Sequence, residues 1–187
     1  MSPHTVVVSA GTYHLPFNRL VDWMEPWVAA HPSVRVIMQH GPSRPLVGAE
    51  NHAILAYPEL LALCAAADAI VLQGGAGGVM DMRALARIPI VVPRVPIDDE
   101  VVDDHQLLFT NRVAELGVIV RAITREALWE HLDSVLAGTL DTHARAVDPT
   151  PGVANLCALL AQPPARLNFA TRMRRLGRSA SGIVRRQ

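Results

Sequence analysis

The sequence predicts an α/β fold, a parallel sheet with helices on both faces. Three observations predict it. Short apolar runs rich in β-branched residues alternate along the chain with longer stretches of helical periodicity, the pattern of repeated strand–helix–strand units. Of the 187 residues, 50% are hydrophobic and 18% charged, with a mean hydropathy of +0.24, enough to bury one well-formed core. The glycine-rich and polar loops also fall at the carboxyl ends of the strand-like runs, where open α/β sheets bind ligands.

Each element has its own signal. Thr5–Ser9 is a β-branched strand that runs into Ala10-Gly11-Thr12. Residues 19–30 form an apolar-periodic helix that stops near Pro32. Residues 34–39 read as a second strand, 44–52 as loop, and 53–57 as a third, weaker strand. Pro58 opens a helix to Ala66, with Glu59 in its first turn. Residues 69–72 form a buried strand leading into the turn Gln73-Gly74-Gly75-Ala76-Gly77-Gly78, with a helix over 79–87. Ile90–Val92 is a strand closed by Pro93, and residues 96–100 an acidic loop. A helix over 103–116 ends at Gly117, a strand covers 118–121, and a last helix covers 125–137.

This divides the chain into a domain over 1–137, a linker with a short helix over 138–165, and a basic, amphipathic tail over 166–187. The charge supports the division. All 17 basic residues are Arg, and the formal total of zero hides an asymmetry. Every one of the 17 acids lies at or before Asp148, whereas the stretch beyond it carries Arg alone. Such a tail reads either as a solvated terminus or as a contact for a partner or an anionic membrane surface.

Composition excludes several classes. Apolar content is too high and charge too low for a disordered chain. Every long apolar run is broken before it could span a bilayer. The Met-Ser-Pro-His start lacks a basic segment followed by an apolar one, so no signal peptide is expected, and the expected place is the cytoplasm. Cys64 and Cys157 stand far apart in apolar text and read as small buried hydrophobes. No nucleic-acid partner is expected, and neither a metal nor a cofactor.

Two stretches suggest chemistry. Glycines after a strand let a ligand approach the backbone, and the first N–H groups of the following helix face an anion. The turn over 73–78 fits that description, although some such turns are merely tight. It lacks the Gly-Lys-Ser/Thr ending of a P-loop and the dinucleotide-binding glycine spacing. Asp81, one turn later, either complements the helix dipole or binds a pair of ribose hydroxyls. Asp103-Asp104-His105-Gln106 starts a helix. On spacing alone the aspartates read as caps, while the carboxylate–imidazole combination suits metal binding or acid–base work.

Taken together, these residues resemble a family. Residues 5–121 are similar to the C-terminal, nucleotide-sugar-binding half of family 28 glycosyltransferases, above all to the small proteins made of that half alone. The resembling stretches, in order, are Val8-Ser9-Ala10-Gly11-Thr12 with Phe17-Asn18-Arg19-Leu20; Gln39-His40-Gly41-Pro42-Ser43; Ala67-Asp68-Ala69-Ile70-Val71; Gly74-Gly75-Ala76-Gly77-Gly78-Val79-Met80-Asp81; Pro89-Ile90-Val91-Val92-Pro93-Arg94; and Val102-Asp103-Asp104-His105-Gln106. The resemblance implies a Rossmann-like domain, half of a GT-B enzyme, that binds a UDP-sugar. It implies that Gly11 and Thr12 line the diphosphate, and that Gly75, Ala76 and Gly77, with Gly78 beside them, approach the phosphates and sugar. Asp81 stands where the family places a ribose-binding acid. Asp103, His105 and Gln106 stand where it places a polar cluster on the sugar, with Asp103 and His105 as the catalytic pair. Gln39 completes the substrate-binding set. The chain departs from the family at Gln73 and Val101, positions where the family often has His, and at Asp81, where it usually has Glu.

The resemblance also implies a missing half. A GT-B enzyme closes two lobes around donor and acceptor, and the single-lobe relatives work with a membrane-associated subunit that binds a lipid-linked acceptor. The expected function is therefore the donor-binding, catalytic subunit of a two-chain inverting glycosyltransferase. The basic tail would dock to the partner or to the inner face of the membrane. Two alternatives are a non-catalytic half that stabilises or regulates another glycosyltransferase, favoured by Gln73 and Val101, and a different nucleotide-sugar enzyme such as an epimerase.

Overall fold

The computed structural model describes residues 3–96 and 100–144. The expectations for residues beyond 144, including the rest of the linker, Cys157 and the basic tail, lie outside the described residues. The described chain runs β1 (Thr5–Ser9), α1 (Asn18–Ala30), β2 (Arg35–Gln39), β3 (Glu50–His52), α2 (Tyr57–Ala66), β4 (Ala69–Gln73), α3 (Ala76–Ala84), β5 (Ile90–Val92), α4 (His105–Glu115), β6 (Val120–Arg121) and α5 (Arg125–Leu136). The strands form one six-stranded sheet in the order β3-β2-β1-β4-β5-β6, and all five pairings are parallel. The chain has the α/β architecture that its pattern predicts, in the Rossmann-like form that the resemblance implies.

Alternation along the strands builds a core on each face of the sheet. Val6 and Val8 of β1 point to one side, where Leu20, Met24 and Trp27 of α1 meet Leu128 and Leu132 of α5. Val7 points to the other, toward Cys64 of α2, Val79 and Met82 of α3, and the partly buried Phe109 and Val113 of α4. The indole Nε1 of Trp27 donates to Asp133 Oδ1 at 2.8 Å, and Trp129 Nε1 donates to the Trp23 carbonyl at 2.7 Å, which fixes α1 against α5. Burial pushes the Cys64 thiol up to about 11, so it stays protonated and inert near neutral pH.

Three expectations about elements are corrected. The third strand is Glu50–His52, inside the stretch read as loop, and not residues 53–57. It is a short edge strand of polar residues, so no apolar run announces it. It is held by its ladder to β2 and by the Arg35–Glu50 ion pair at 2.7 Å. Helix α3 starts at Ala76 and includes Gly77 and Gly78, where low helix propensity suggested turn. It stops at Ala84, short of the expected 87, because Ala86 takes a left-handed conformation (φ 54°) and Arg87 N–H bonds back to the Met82 carbonyl at 2.8 Å. The ends of α4 and β6 also fall inside the expected spans.

Arg87 is almost fully buried. Its guanidinium donates to the carbonyls of Ala65, Ala67 and Asp68, at 3.1, 2.6 and 3.2 Å, and so satisfies the carboxyl end of α2. The chain after α5 returns beside this arginine. Ile88 N–H bonds to the Thr142 carbonyl at 2.7 Å, and Ala144 N–H bonds to the Ala86 carbonyl at 2.8 Å.

Candidate functional site

The strand order reverses between β1 and β4, so the loops that follow these neighbouring strands leave in opposite directions and open a crevice at their carboxyl ends. Gly11, in the loop after β1, has φ 79°, and Gly41, after β2, has φ 58°. A Cβ on Gly41 would lie 2.6 Å from the Gly11 carbonyl oxygen, so these two loops touch through backbone that only glycine permits.

The turn after β4 packs between that loop and α4. A Cβ on Gly74 would meet Gln106 Oε1 and Thr110 Cγ2 of α4, both at 2.9 Å. On the other side, the Gln73 amide lies between Gly11 and Gly75. A Cβ on Gly75 would sit 2.2 Å from Gln73 Nε2, and one on Gly11 would sit 3.1 Å from it. Gln73 Oε1 is buried and has no hydrogen-bond partner. Such an acceptor costs about 1–3 kcal/mol until a donor reaches it.

Helix α3 rises from this turn. Gly75 is its N-cap, with no side chain to satisfy the first N–H groups, and Ala76 and Gly77 are exposed. A Cβ on Gly77 would meet no atom within 4 Å, so open space lies beside the turn. Exposed residues at the helix start, the positive end of its dipole and free space together suit an anion. One turn into α3, Asp81 Oδ1 accepts a hydrogen bond from the Tyr57 hydroxyl at 2.8 Å, and the carboxylate raises the phenol's pKa.

At the start of α4, Asp103 and His105 are exposed and joined side chain to side chain, with His105 N–H also donating to Asp103 Oδ1 at 3.1 Å. The imidazole holds the Asp103 carboxyl below its ordinary value. Gly11, Thr12, the glycine turn, Asp81 and the Asp103–His105 pair therefore share one rim of the sheet. Gln39 and Gln106 sit lower. Gln39 is buried, donates to Ser9 Oγ at 3.1 Å and accepts from Leu55 N–H at 3.0 Å. Gln106 is buried and accepts from Arg94 N–H at 3.0 Å. In this structure both hold neighbouring loops in place.

Arg94, whose residue type and position alone suggest no role, has no exposed surface. Its guanidinium donates to the carbonyls of Ala10, Leu15, Pro16 and Glu100, at 2.9, 2.9, 3.1 and 2.8 Å, and lies 4.8 Å from the Phe17 ring centroid. Burial lowers its pKa. A full positive charge thus stands directly behind the Gly11 loop. The signal available in the sequence was a lone arginine closing an apolar strand.

Residues 5–150 match the family model described as Glycosyltransferase family 28 C-terminal domain. The chain belongs to this family. No protein of curated function matches the sequence. Among solved structures, the fold is similar to the solution structure of ALG13, with TM-score 0.53 and 17% identity over 82% of this chain and 94% of that one. It is also similar to the glycosyltransferase of kitacinnamycin, with TM-score 0.55 and 20% identity, and to MurG of Acinetobacter baumannii, with TM-score 0.51 and 17% identity. The chain spans only 38% and 50% of the lengths of those two proteins, covering 84% of itself in each case. It is thus a family 28 glycosyltransferase C-terminal domain on the GT-B-type fold of these structures.

Proposed function

We propose that this family 28 domain binds a UDP-sugar and serves as the catalytic subunit of a two-chain inverting glycosyltransferase whose acceptor is lipid-linked or a growing polysaccharide. The anion cradle at the start of α3, set in the crevice at the sheet's switch point, carries the reading. A departing UDP gains negative charge, and fixed N–H groups with a helix dipole stabilise that charge without reorganising. Asp81 and Tyr57 suit the ribose hydroxyls, and Asp103 and His105 suit the sugar and the incoming acceptor. The partial cover of two longer glycosyltransferase structures supports reading a second lobe as its counterpart. The partner is a membrane-associated, acceptor-binding subunit, and the Arg-only tail contacts it or the anionic inner leaflet of the membrane.

Co-expression with a membrane-anchored acceptor-binding lobe tests the proposal. Transfer from a UDP-sugar to a polyprenyl-linked acceptor requires both chains, and Asp103→Ala lowers the rate about a hundredfold or more. Transfer that is indifferent to Asp103→Ala favours the second reading, a half-domain that stabilises or regulates its partner. That reading draws on Val101, which is buried and apolar where the family often has His.

A further inference from the structure

The geometry points to Glu100 as a positioning residue. It clamps the start of α4, and so the Asp103–His105 pair, to the rim that carries the glycine loops. This inference rests on the donor-site reading above and assigns a device that serves it.

Glu100 is 2% exposed, unusual for a carboxylate, yet every part of it is engaged. Its two oxygens accept from Arg19 in a fork, Nε to Oε1 at 2.7 Å and Nη2 to Oε2 at 2.8 Å. Oε2 also accepts from Val95 N–H at 3.0 Å, and the Glu100 carbonyl accepts from Arg94 at 2.8 Å. Arg19 belongs to the first turn of α1, donates to the Pro93 carbonyl at 2.8 Å and lies 4.6 Å from the Trp23 ring centroid. The end of β5, the start of α1 and the approach to α4 are therefore tied at one point. Asp103 follows three residues later and is itself exposed. With no packing of its own, its place depends on the buried residues that flank it, Glu100 on one side and Gln106 on the other. The glycine turn after β4 makes no bond to Glu100 and packs instead against Gln106 and Thr110, further into α4.

The clamp should therefore matter for the sugar and not for the diphosphate. The test uses the full chain, Glu100→Gln, and an Arg19→Met/Glu100→Met double variant that leaves no unpaired buried charge if the single change fails to fold. UDP and a panel of UDP-glucose, UDP-galactose and UDP-N-acetylglucosamine are titrated by calorimetry, and amide exchange is followed by mass spectrometry. UDP affinity stays within about twofold of the parent. Affinity for the best-bound UDP-sugar falls about tenfold, and exchange quickens over residues 101–107 but not over 74–82. Affinities for UDP and UDP-sugar that move together, or unaltered exchange over 101–107 in a folded variant, overturn the inference. A parent chain that binds no uridine nucleotide overturns the donor-site reading instead, and the exchange pattern then decides the clamp by itself.

Discussion

Arg94 and Arg87 show what a buried arginine does when no acid takes its charge alone. Each spreads its donors over carbonyls of several segments, Arg94 at the carboxyl edge of the sheet and Arg87 at the start of β5. Neither role was legible in the sequence, because their partners are backbone atoms that leave no trace in residue type. Gln73 is a second such case, since only the fold shows its amide set between two glycines. Gly11 and the glycines after β4 were legible, because a turn that needs a left-handed conformation or a close approach calls for that residue. Ala86 is the reverse case, a left-handed position without glycine. Relief of its Cβ strain outweighs the extra freedom of the unfolded chain, so Ala86→Gly stabilises the protein by about 0.5–1 kcal/mol in urea denaturation. A destabilised variant would mean that Ala86 is not left-handed in solution.

Among the elements, those with an apolar face were read correctly and those without were not. Helices α1 and α5 bury a stripe against the sheet, and strands β1, β2 and β4 are buried almost throughout. β3 escaped because an edge strand of Glu, Asn and His draws its stability from the ladder and not from burial. The start of α3 escaped because Gly77 and Gly78 have the composition of a turn while continuing a helix. Their cost, about 1 kcal/mol each relative to Ala, fits a helix end kept bare for a ligand. Valine at 77 meets open space, so Gly77→Val folds with a melting temperature within a few degrees of the parent, roughly the shift expected for 1 kcal/mol. It should nevertheless lose UDP binding at least about tenfold, because the new side chain occupies the cradle. Undiminished UDP affinity in the folded variant would place the nucleotide elsewhere.

On the scale of the whole molecule, the alternation of strands and helices was enough to predict a parallel sheet, and the position of the loops pointed to the edge where the candidate site is proposed. The strand order, and with it the crevice between β1 and β4, came only from the structure, since periodicity does not say which strands become neighbours. No helix among the described residues is long and apolar enough to cross a membrane. The family fixes the kind of domain. The central claim, that the loops after β1 and β4 cradle a diphosphate, is tested most directly by amide NMR of the labelled chain during titration with UDP. Saturable shifts concentrated at Gly11, Thr12 and residues 74–78 are expected. A saturable response confined to other residues, or none at all, would contradict it.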